Sequence, residues 1–308
     1  MNSRERVLST LARKGYDRLP IKHFGEPEIN AILEKHFKVK GEVALLDKVG
    51  DDFRYVEPTY VGPELKKTAD GGEEGLWGEI YKNISFGAGE YSEAVYLPFQ
   101  NVTKAKDLDK FRWPSVEWYD FSTIAEQCRK YADFARVGGW CGNMDFINGV
   151  ARCRGVEQVL VDIATEDPVY LEIIERRAKF FHEYYDAMLT AGKGQIEIIH
   201  AGEDFGTQNG LLISPAAYEK LYKPKYKKLA EIAHRHGAKL MLHSCGSVRG
   251  LIPNLIDTGV DILDVVQVTA AGMAIEGLAR DFGSKLTFCG TVCVQSTLPF
   301  GKVAGVLR

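Results

Sequence analysis

The stretch IEIIHAGEDFGTQNGLLISPAAYEKLYKPKYKKLAEIAHRHGAKLMLH, residues 196–243, decides the fold. Its first five and last five residues are short, largely apolar runs of the length of a strand. Between them, Ser214 and Pro215 are a typical cap and first residue of a helix, and Gly237 is a typical end. A strand, a crossover helix and a second strand predict two parallel neighbours in one sheet.

The same alternation continues on both sides of this stretch. Further strands are predicted over residues 135–140, 261–268 and 285–289. Further helices are predicted over residues 120–134, from a cap at Thr165 to Gly192, over 249–257 and over 274–282. A doubly wound sheet and an eight-stranded barrel both fit this order. Polar residues follow nearly every strand, which favours the rim of a barrel.

The N-terminal part is less regular. We predict a first strand over residues 19–24 and an irregular excursion around residues 58–100, within a single domain that spans residues 1–308. About seven barrel strands can be counted before Arg308, against the roughly eight of a complete barrel. The predicted fold is therefore an α/β TIM (β/α)8 barrel that lacks its last βα unit.

Composition excludes several classes of protein. With 39 Lys and Arg against 42 Asp and Glu, the net charge is −3, which argues against a nucleic-acid binder. No run approaches the roughly 18 apolar residues of a membrane span. The N-terminus has no apolar signal core, so we expect a cytoplasmic protein. Six cysteines in such a chain are expected to be free thiols or metal ligands.

Three residues form a candidate zinc set: His243, Cys245 and Cys289. His243 and Cys245 are two positions apart at the end of a predicted strand, so their side chains face the same side. Cys289 ends a later strand, and Cys293 follows it. A histidine and two thiolates suit zinc and leave a fourth position for a substrate. The alternative is that these cysteines are small buried apolar residues.

Four polar residues are candidates for catalysis or binding. Glu203 and Asp204 follow the strand over 196–200, where either could act as a general acid or base or as the fourth metal ligand. Ordinary solvated loop acids are the alternative. Gln208 and Gln267 could hydrogen-bond a substrate. Three other histidines have no companion ligands in the sequence and are interpreted as structural or solvated: His200, His234 and His236.

Residues 202–263, from GEDFGTQNG to TGVDIL, resemble the uroporphyrinogen decarboxylase-like superfamily. That superfamily contains the tetrapyrrole decarboxylase and the corrinoid-dependent methyltransferases. The resemblance extends from SRERVLSTLARKGYDRLPI at residues 3–21 to QSTLPFG at residues 295–301. It implies a (β/α)8 barrel, and members normally continue beyond the position of LPFG.

The resemblance also separates two activities. The decarboxylase has an Arg-Gln-Ala-Gly-Arg-Tyr loop after its first strand, whereas residues 21–26 here are IKHFGE. The thiol-using methyltransferases are closer, because His243 and Cys245 match two of their zinc ligands. Their third ligand, a cysteine, lies beyond Arg308. Where relatives have Gly-Gly-(Ile/Val)-Asp, residues 289–293 are CGTVC.

The resemblance therefore implies a corrinoid-linked methyltransferase. A methyl group would pass from a methyl-cobamide on a separate carrier protein to a small thiol or folate acceptor. His243 and Cys245, with Cys289 and Glu203 as further candidates, would hold zinc, while Asp204 and Gln208 orient the acceptor or the cobamide. Two alternatives stay open: metal-free decarboxylation of a tetrapyrrole with Asp204 as proton relay, and an inactive truncated barrel.

Overall fold

A parallel sheet of six strands lies at the centre of the fold. The computed structural model describes residues 1–87 and 89–306. Its strands are β1 (Phe53–Val56), β2 (Thr59–Tyr60), β3 (Glu73–Glu74), β4 (Ile80–Ser85), β5 (Glu90–Tyr96), β6 (Tyr119–Asp120), β7 (Ala135–Gly139), β8 (Ile198–Gly202), β9 (Lys239–His243), β10 (Ile262–Val266) and β11 (Thr287–Gly290). The sheet order is β1-β7-β8-β9-β10-β11, and all neighbours are parallel. This order is that of a partial barrel of βα units.

Helices connect these strands. They are α1 (Ser3–Leu11), α2 (Pro27–Phe37), α3 (Glu42–Val49), α4 (Ile124–Lys130), α5 (Asn148–Arg154), α6 (Val156–Thr165), α7 (Pro168–Gly192), α8 (Pro215–Ala217), α9 (Lys223–Arg235), α10 (Ile252–Thr258), α11 (Ile275–Phe282), α12 (Thr297–Phe300) and α13 (Val303–Val306). One π-helical turn, Tyr218–Tyr222, joins α8 to α9. Among the described helices, none combines the length and apolar character required to cross a bilayer.

The predicted elements around the central stretch are confirmed, with one wrong cap. Strand β9 has the predicted bounds, and the Ser214 hydroxyl accepts the Ala217 N–H at 3.1 Å, as a helix cap does. Thr165 does not cap the long helix; it is the last residue of α6. The cap of α7 is Asp167, whose carboxylate accepts the Val169 N–H at 2.8 Å. Pro168 explains the position, because proline favours the first residue of a helix.

The strand predicted over residues 19–24 is not formed. This segment has no regular secondary structure, and side chains that precede β1 bind its backbone. The Ile21 N–H donates to the carboxylate of Asp52 at 2.8 Å, and the His23 N–H donates to that of Asp51. Because carboxylates take these donors, the segment has no regular ladder with a neighbouring strand.

The region between β1 and β7 contains antiparallel strands. β3, β4 and β5 form a three-stranded sheet, and β2 pairs with β6. The residues of β4 and β5 are largely exposed on both faces, so they carry no apolar alternation. The sequence pattern alone therefore indicated an irregular excursion here rather than a hairpin.

Apolar side chains fill the barrel near the amino ends of the strands. Val7 of α1 belongs there to one buried cluster with residues of five strands: Phe53, Ala135, Val137, Ile198, Met241 and Ile262. These contacts place α1 across the amino end of the barrel. Every second residue of a strand faces the same side, so the next inward positions lie one layer closer to the carboxyl ends.

Paired charges surround this buried apolar cluster. Buried Glu197 accepts hydrogen bonds from the Nε atoms of Arg4 at 2.8 Å and Arg136 at 3.0 Å. Buried Asp52, just before β1, accepts from Arg6 at 2.6 Å. Each carboxylate also receives a backbone N–H. The charges at the amino end are therefore saturated by groups of the chain itself.

Candidate functional site at the carboxyl ends of the strands

Polar side chains replace the apolar ones at the opposite end of the barrel. His200, His243 and Asp264 follow Ile198, Met241 and Ile262 by two positions in β8, β9 and β10, so they occupy the next inward layer. Asp264 pairs in register with His243. Three ionisable groups from three adjacent strands therefore converge inside the barrel.

A shallow donor group forms around His243 at the mouth. Its Nε2 lies 3.4 Å from the Cys245 sulfur and 3.6 Å from Oδ1 of Asp204. One ligand atom from each of these three residues lies within 4.8 Å of the other two. The expected convergence of His243 and Cys245 is present, and Asp204 is the third member of the group.

Backbone and amide contacts hold the loops that carry these donors. Asp204 accepts the Cys245 N–H at 2.8 Å and the side-chain amide of Asn148 at 3.1 Å. Gln267 accepts the Gly246 N–H at 2.8 Å and the Gln208 amide at 3.2 Å. The two glutamines named from the sequence thus lie together beside the Cys245 loop.

A deeper donor group lies on the other side of the His243 ring. Oδ2 of Asp264 is 3.2 Å from Nδ1 of His243 and 3.2 Å from Nε2 of His200. The Lys22 ammonium is 3.4 Å from Oδ1 of the same carboxylate, and the Tyr55 hydroxyl is 3.0 Å from Nδ1 of His200. This set is largely buried, and the approach of His200 Nε2 to Asp264 is within ion-pair distance without hydrogen-bond geometry.

These contacts change the protonation of the residues involved. Burial lowers the pKa of His243, but hydrogen bonds to Asp264 and Cys245 outweigh burial and raise it to about 10. Burial lowers the pKa of His200 to about 4, against the charge of Asp264. Burial opposes ionisation of Asp264, yet the two histidines and Lys22 hold its pKa well below the ordinary value. In the absence of a metal ion, His243 is therefore cationic and Asp264 anionic.

Glu203 does not face the same space as Asp204. It is buried, and its Oε2 accepts the N–H groups of Phe146 and Ile147 at 2.6 and 2.8 Å. Its carboxyl group hydrogen-bonds that of buried Asp145. Burial, followed by the charge of Asp145, raises the pKa of Glu203 well above its ordinary value. Burial raises the pKa of Asp145 as well, so ionisation of both carboxyl groups together is disfavoured.

Cys289 lies outside both donor groups. Its thiol hydrogen-bonds Asp264, and burial, with the charge of Asp264, raises its pKa. Cys293 lies apart, 3.1 Å from the Ser296 hydroxyl and 3.4 Å from that of Thr269. Neither residue is within the ligand spacing of His243 and Cys245, where the structure brings Asp204 instead.

Sequence reasoning missed His200, Lys22 and Asp264. His200 was interpreted as lacking companions, but its companions come from other strands. An available signal was the alternation within strands, which puts polar residues at inward positions beyond apolar ones. The other two uncertain histidines are on the surface, where His234 pairs with Asp261 at 2.7 Å and His236 with Asp186 at 2.8 Å.

Comparison with known proteins identifies the family. The model of the uroporphyrinogen decarboxylase (URO-D) family matches residues 145–303, more than half of the 308 residues. The solved structure of a methyltransferase from Methanosarcina mazei superposes with a TM-score of 0.57 at 17% sequence identity, covering 94% of this chain and 82% of that chain. Among curated protein sequences, none matches. The family match includes Asp204, His243 and Cys245 as well as His200 and Asp264, whereas Lys22 and Tyr55 precede it, and the chain belongs to the uroporphyrinogen decarboxylase family.

Proposed function

We propose that this protein is a corrinoid-linked methyltransferase. It moves a methyl group from a methyl-cobamide on a carrier protein to a thiol or folate acceptor. The observation that carries the proposal is the convergence of Asp204, His243 and Cys245 at the barrel mouth. The proposal includes one (β/α)8 barrel domain, of which the six described parallel strands are part.

The donor chemistry of this group fits zinc. Imidazole nitrogen, thiolate and carboxylate oxygen are the usual zinc ligands, and three protein ligands leave one position open. Zinc held by His243, Cys245 and Asp204 would lower the pKa of a bound thiol, so that the acceptor is a thiolate near neutral pH. Cys289 is the alternative third ligand in this proposal. It ranks below Asp204 because it lies beside Asp264 rather than beside Cys245.

The surrounding residues position the donors. Asp264 contacts Nδ1 of His243, which leaves Nε2 directed toward Cys245. Such an outer carboxylate fixes the ring orientation of a ligating histidine. Glu203 is proposed to act as a positioning residue. Its carboxyl group accepts the backbone N–H groups of Phe146 and Ile147 and so holds the loop that contacts Asp204. Gln208 and Gln267 are the side chains proposed to orient the acceptor.

The rim suits a partner that presents a flat cofactor. Phe24 and Trp140 are both exposed, and their ring centroids are 4.9 Å apart. Tyr55 packs against Trp140 at 5.9 Å and reaches the deeper donor group. An exposed aromatic cluster is typical of a binding surface. It supports docking of the corrinoid carrier protein at the barrel mouth.

Tetrapyrrole decarboxylation is the second candidate, favoured by the match to the uroporphyrinogen decarboxylase family. Its substrate carries many carboxylates and requires cationic partners. In residues 21–26 the only permanently charged cation is Lys22, and its ammonium is already 3.4 Å from Asp264. The methyltransferase proposal is therefore the stronger of the two.

The test is methyl transfer by the zinc-supplemented protein. Methylcobalamin replaces the carrier-bound donor, and 2-mercaptoethanol, homocysteine and tetrahydrofolate are the acceptors. We expect demethylation with at least one acceptor, and a loss of at least about a hundredfold in Cys245→Ser, more than loss of an outer-sphere partner costs. Cys128→Ser, in the apolar core, is the matched control.

The result that contradicts the proposal is equally specific. Folded protein with bound zinc that demethylates no donor with any of these acceptors would reject it. Metal-independent turnover of uroporphyrinogen by the same preparation would favour decarboxylation instead.

A further inference from the structure

Arg177 differs from every other buried arginine in the described part of the chain. Four buried arginines have carboxylate partners within 4.0 Å: Arg6, Arg54, Arg136 and Arg154. Arg177, on α7, is only 3% exposed and forms no hydrogen bond or ion pair with any described residue; its Nε is buried without a partner. A buried guanidinium with five donors and no acceptor is costly, so an acceptor from outside the chain is expected.

The side chain of Arg177 lines a cavity that provides room for such an acceptor. The cavity has a volume of about 160 Å³, and an apolar cavity of about 150 Å³ can hold a molecule of the size of benzene. It lies between α7, the antiparallel strands before β7 and the loop after β7. It shares no residue with the donor groups around His243. The cavity is therefore separate from the proposed methyl-transfer site.

The walls of this cavity are mainly aromatic. Arg177 lies over the ring of Trp77 at 4.1 Å. Phe180 meets Trp77 edge-on at a centroid distance of 5.5 Å. Tyr81 and Tyr184 also line the space. These rings offer contact area to a flat or apolar body, while the guanidinium faces the same space.

The charged neighbours of Arg177 limit what can bind. Glu79 accepts the Trp77 N–H at 2.9 Å and the Tyr81 hydroxyl at 3.1 Å, so its oxygens are engaged. Asp145 lies close enough to interact with Arg177 electrostatically, but no ion pair within 4.0 Å is formed. Arg152 at the edge adds a second cation. An acceptor on the ligand is therefore the group that the cavity lacks.

We propose that this cavity binds a small organic carboxylate. The planar guanidinium of Arg177 matches a carboxylate through two parallel hydrogen bonds. The apolar body of the ligand lies against Trp77, Phe180 and Tyr184. This site uses none of the residues proposed for methyl transfer.

The test is direct binding to the full chain by calorimetry and tryptophan fluorescence. The probes are benzoate, its uncharged analogue benzamide, acetate and phenylalanine. We expect benzoate to bind in the millimolar range or tighter, and benzamide at least tenfold more weakly. Phenylalanine is expected to bind no more tightly than benzoate, because both Glu79 oxygens already accept hydrogen bonds.

Two matched variants locate the site. Arg177→Met is expected to weaken benzoate binding at least tenfold, whereas Arg176→Met, the next residue of α7, is expected to leave it within about twofold. Arg176 is the control because it pairs with Glu172 and Asp109 outside the cavity. Equal benzoate binding by wild type and Arg177→Met would overturn the proposal, as would no binding of any probe.

Stability provides a readout that does not need a ligand. Because Arg177 has no carboxylate within 4.0 Å, Arg177→Met is expected to lower the melting temperature less than Arg154→Met does. Arg154→Met is expected to have a lower melting temperature, because the substitution leaves buried Asp162 without its cationic partner. A melting temperature for Arg177→Met as low as that of Arg154→Met would assign Arg177 a structural role and overturn the proposal. The comparison of benzoate with benzamide on wild type tests the site without any variant.

Discussion

The two ends of the barrel both contain buried charges but pair them differently: at the amino end, each of the buried arginines Arg6, Arg54 and Arg136 has a carboxylate partner. At the amino end, Glu197 is bound by Arg4, Arg136 and a backbone N–H, so none of its oxygens lacks a donor. At the carboxyl end, His243 and Cys245 lie at the open mouth of the barrel, where their potential metal-ligand atoms converge with that of Asp204. Saturated charges hold elements together, whereas converging unsaturated ones can bind a metal or substrate.

The largest effect is expected where the charges are saturated. Glu197→Gln leaves Arg136 buried without its counter-ion, and breaking a buried pair in this way costs about 3–5 kcal/mol of unfolding free energy. Urea denaturation of wild type and variant measures the difference.

The same substitution on the surface is the control. In Glu166→Gln the lost partner is exposed Lys220, so the change is expected to stay under about 1 kcal/mol. Equal losses in the two variants would show that the amino-end network does not differ energetically from a surface pair.

The next effect concerns metal binding at the mouth. Elemental analysis of the purified protein is expected to find about one zinc per chain. Cys245→Ser is expected to lose it, with a fall in zinc affinity of at least about a hundredfold, while unfolding free energy without metal changes little. Cys289→Ser is expected to keep the metal, because Cys289 is in neither donor group.

Reversed results for the two cysteines would assign the third ligand differently. Zinc lost from Cys289→Ser but kept by Asp204→Asn would restore the histidine and two-thiolate set that the sequence pattern indicated. Folded wild type without zinc would remove the metal from the proposed mechanism.

Local sequence patterns predicted the parts of this structure that depend on neighbouring residues. β9 was placed correctly, and His243 with Cys245 converge because positions i and i+2 of one strand face one side. Asp204 was recognised from its position directly after β8.

What could not be predicted depends on register between separate strands. His200 and Asp264 come within 3.2 Å because the sheet curves and brings β8 close to β10, and a local sequence pattern does not predict that curvature. The same limit applies to residues 19–24, where side chains of Asp51 and Asp52 replace a strand partner. Arg177 is a further case, since its isolation is visible only once every nearby carboxylate has been located.

The smallest expected effect is a pH dependence of the unfolding free energy that comes from His243 at the carboxyl end. Without metal, the pKa of folded His243 is raised to about 10, against about 6.5 in an unfolded chain. The folded state therefore binds the extra proton, and this stabilisation is complete below pH 6.5 and declines as pH rises. Between pH 6.5 and 8 the slope from this group approaches about 1.4 kcal/mol per pH unit. At the amino end, the pKa of Asp52 is lowered, so it titrates only in acid. Burial raises the pKa of Asp51 to about 6, so its contribution must cancel between two proteins that both contain it.

His243→Gln isolates this contribution. Subtracting its unfolding free energies from those of metal-free wild type, across pH 6.5 to 8, is expected to give a difference that falls as pH rises. Because zinc and the proton compete for the same imidazole, zinc affinity of wild type is expected to rise over this window. A difference in unfolding free energy that does not change with pH would mean that Asp264 and Cys245 do not hold His243 protonated.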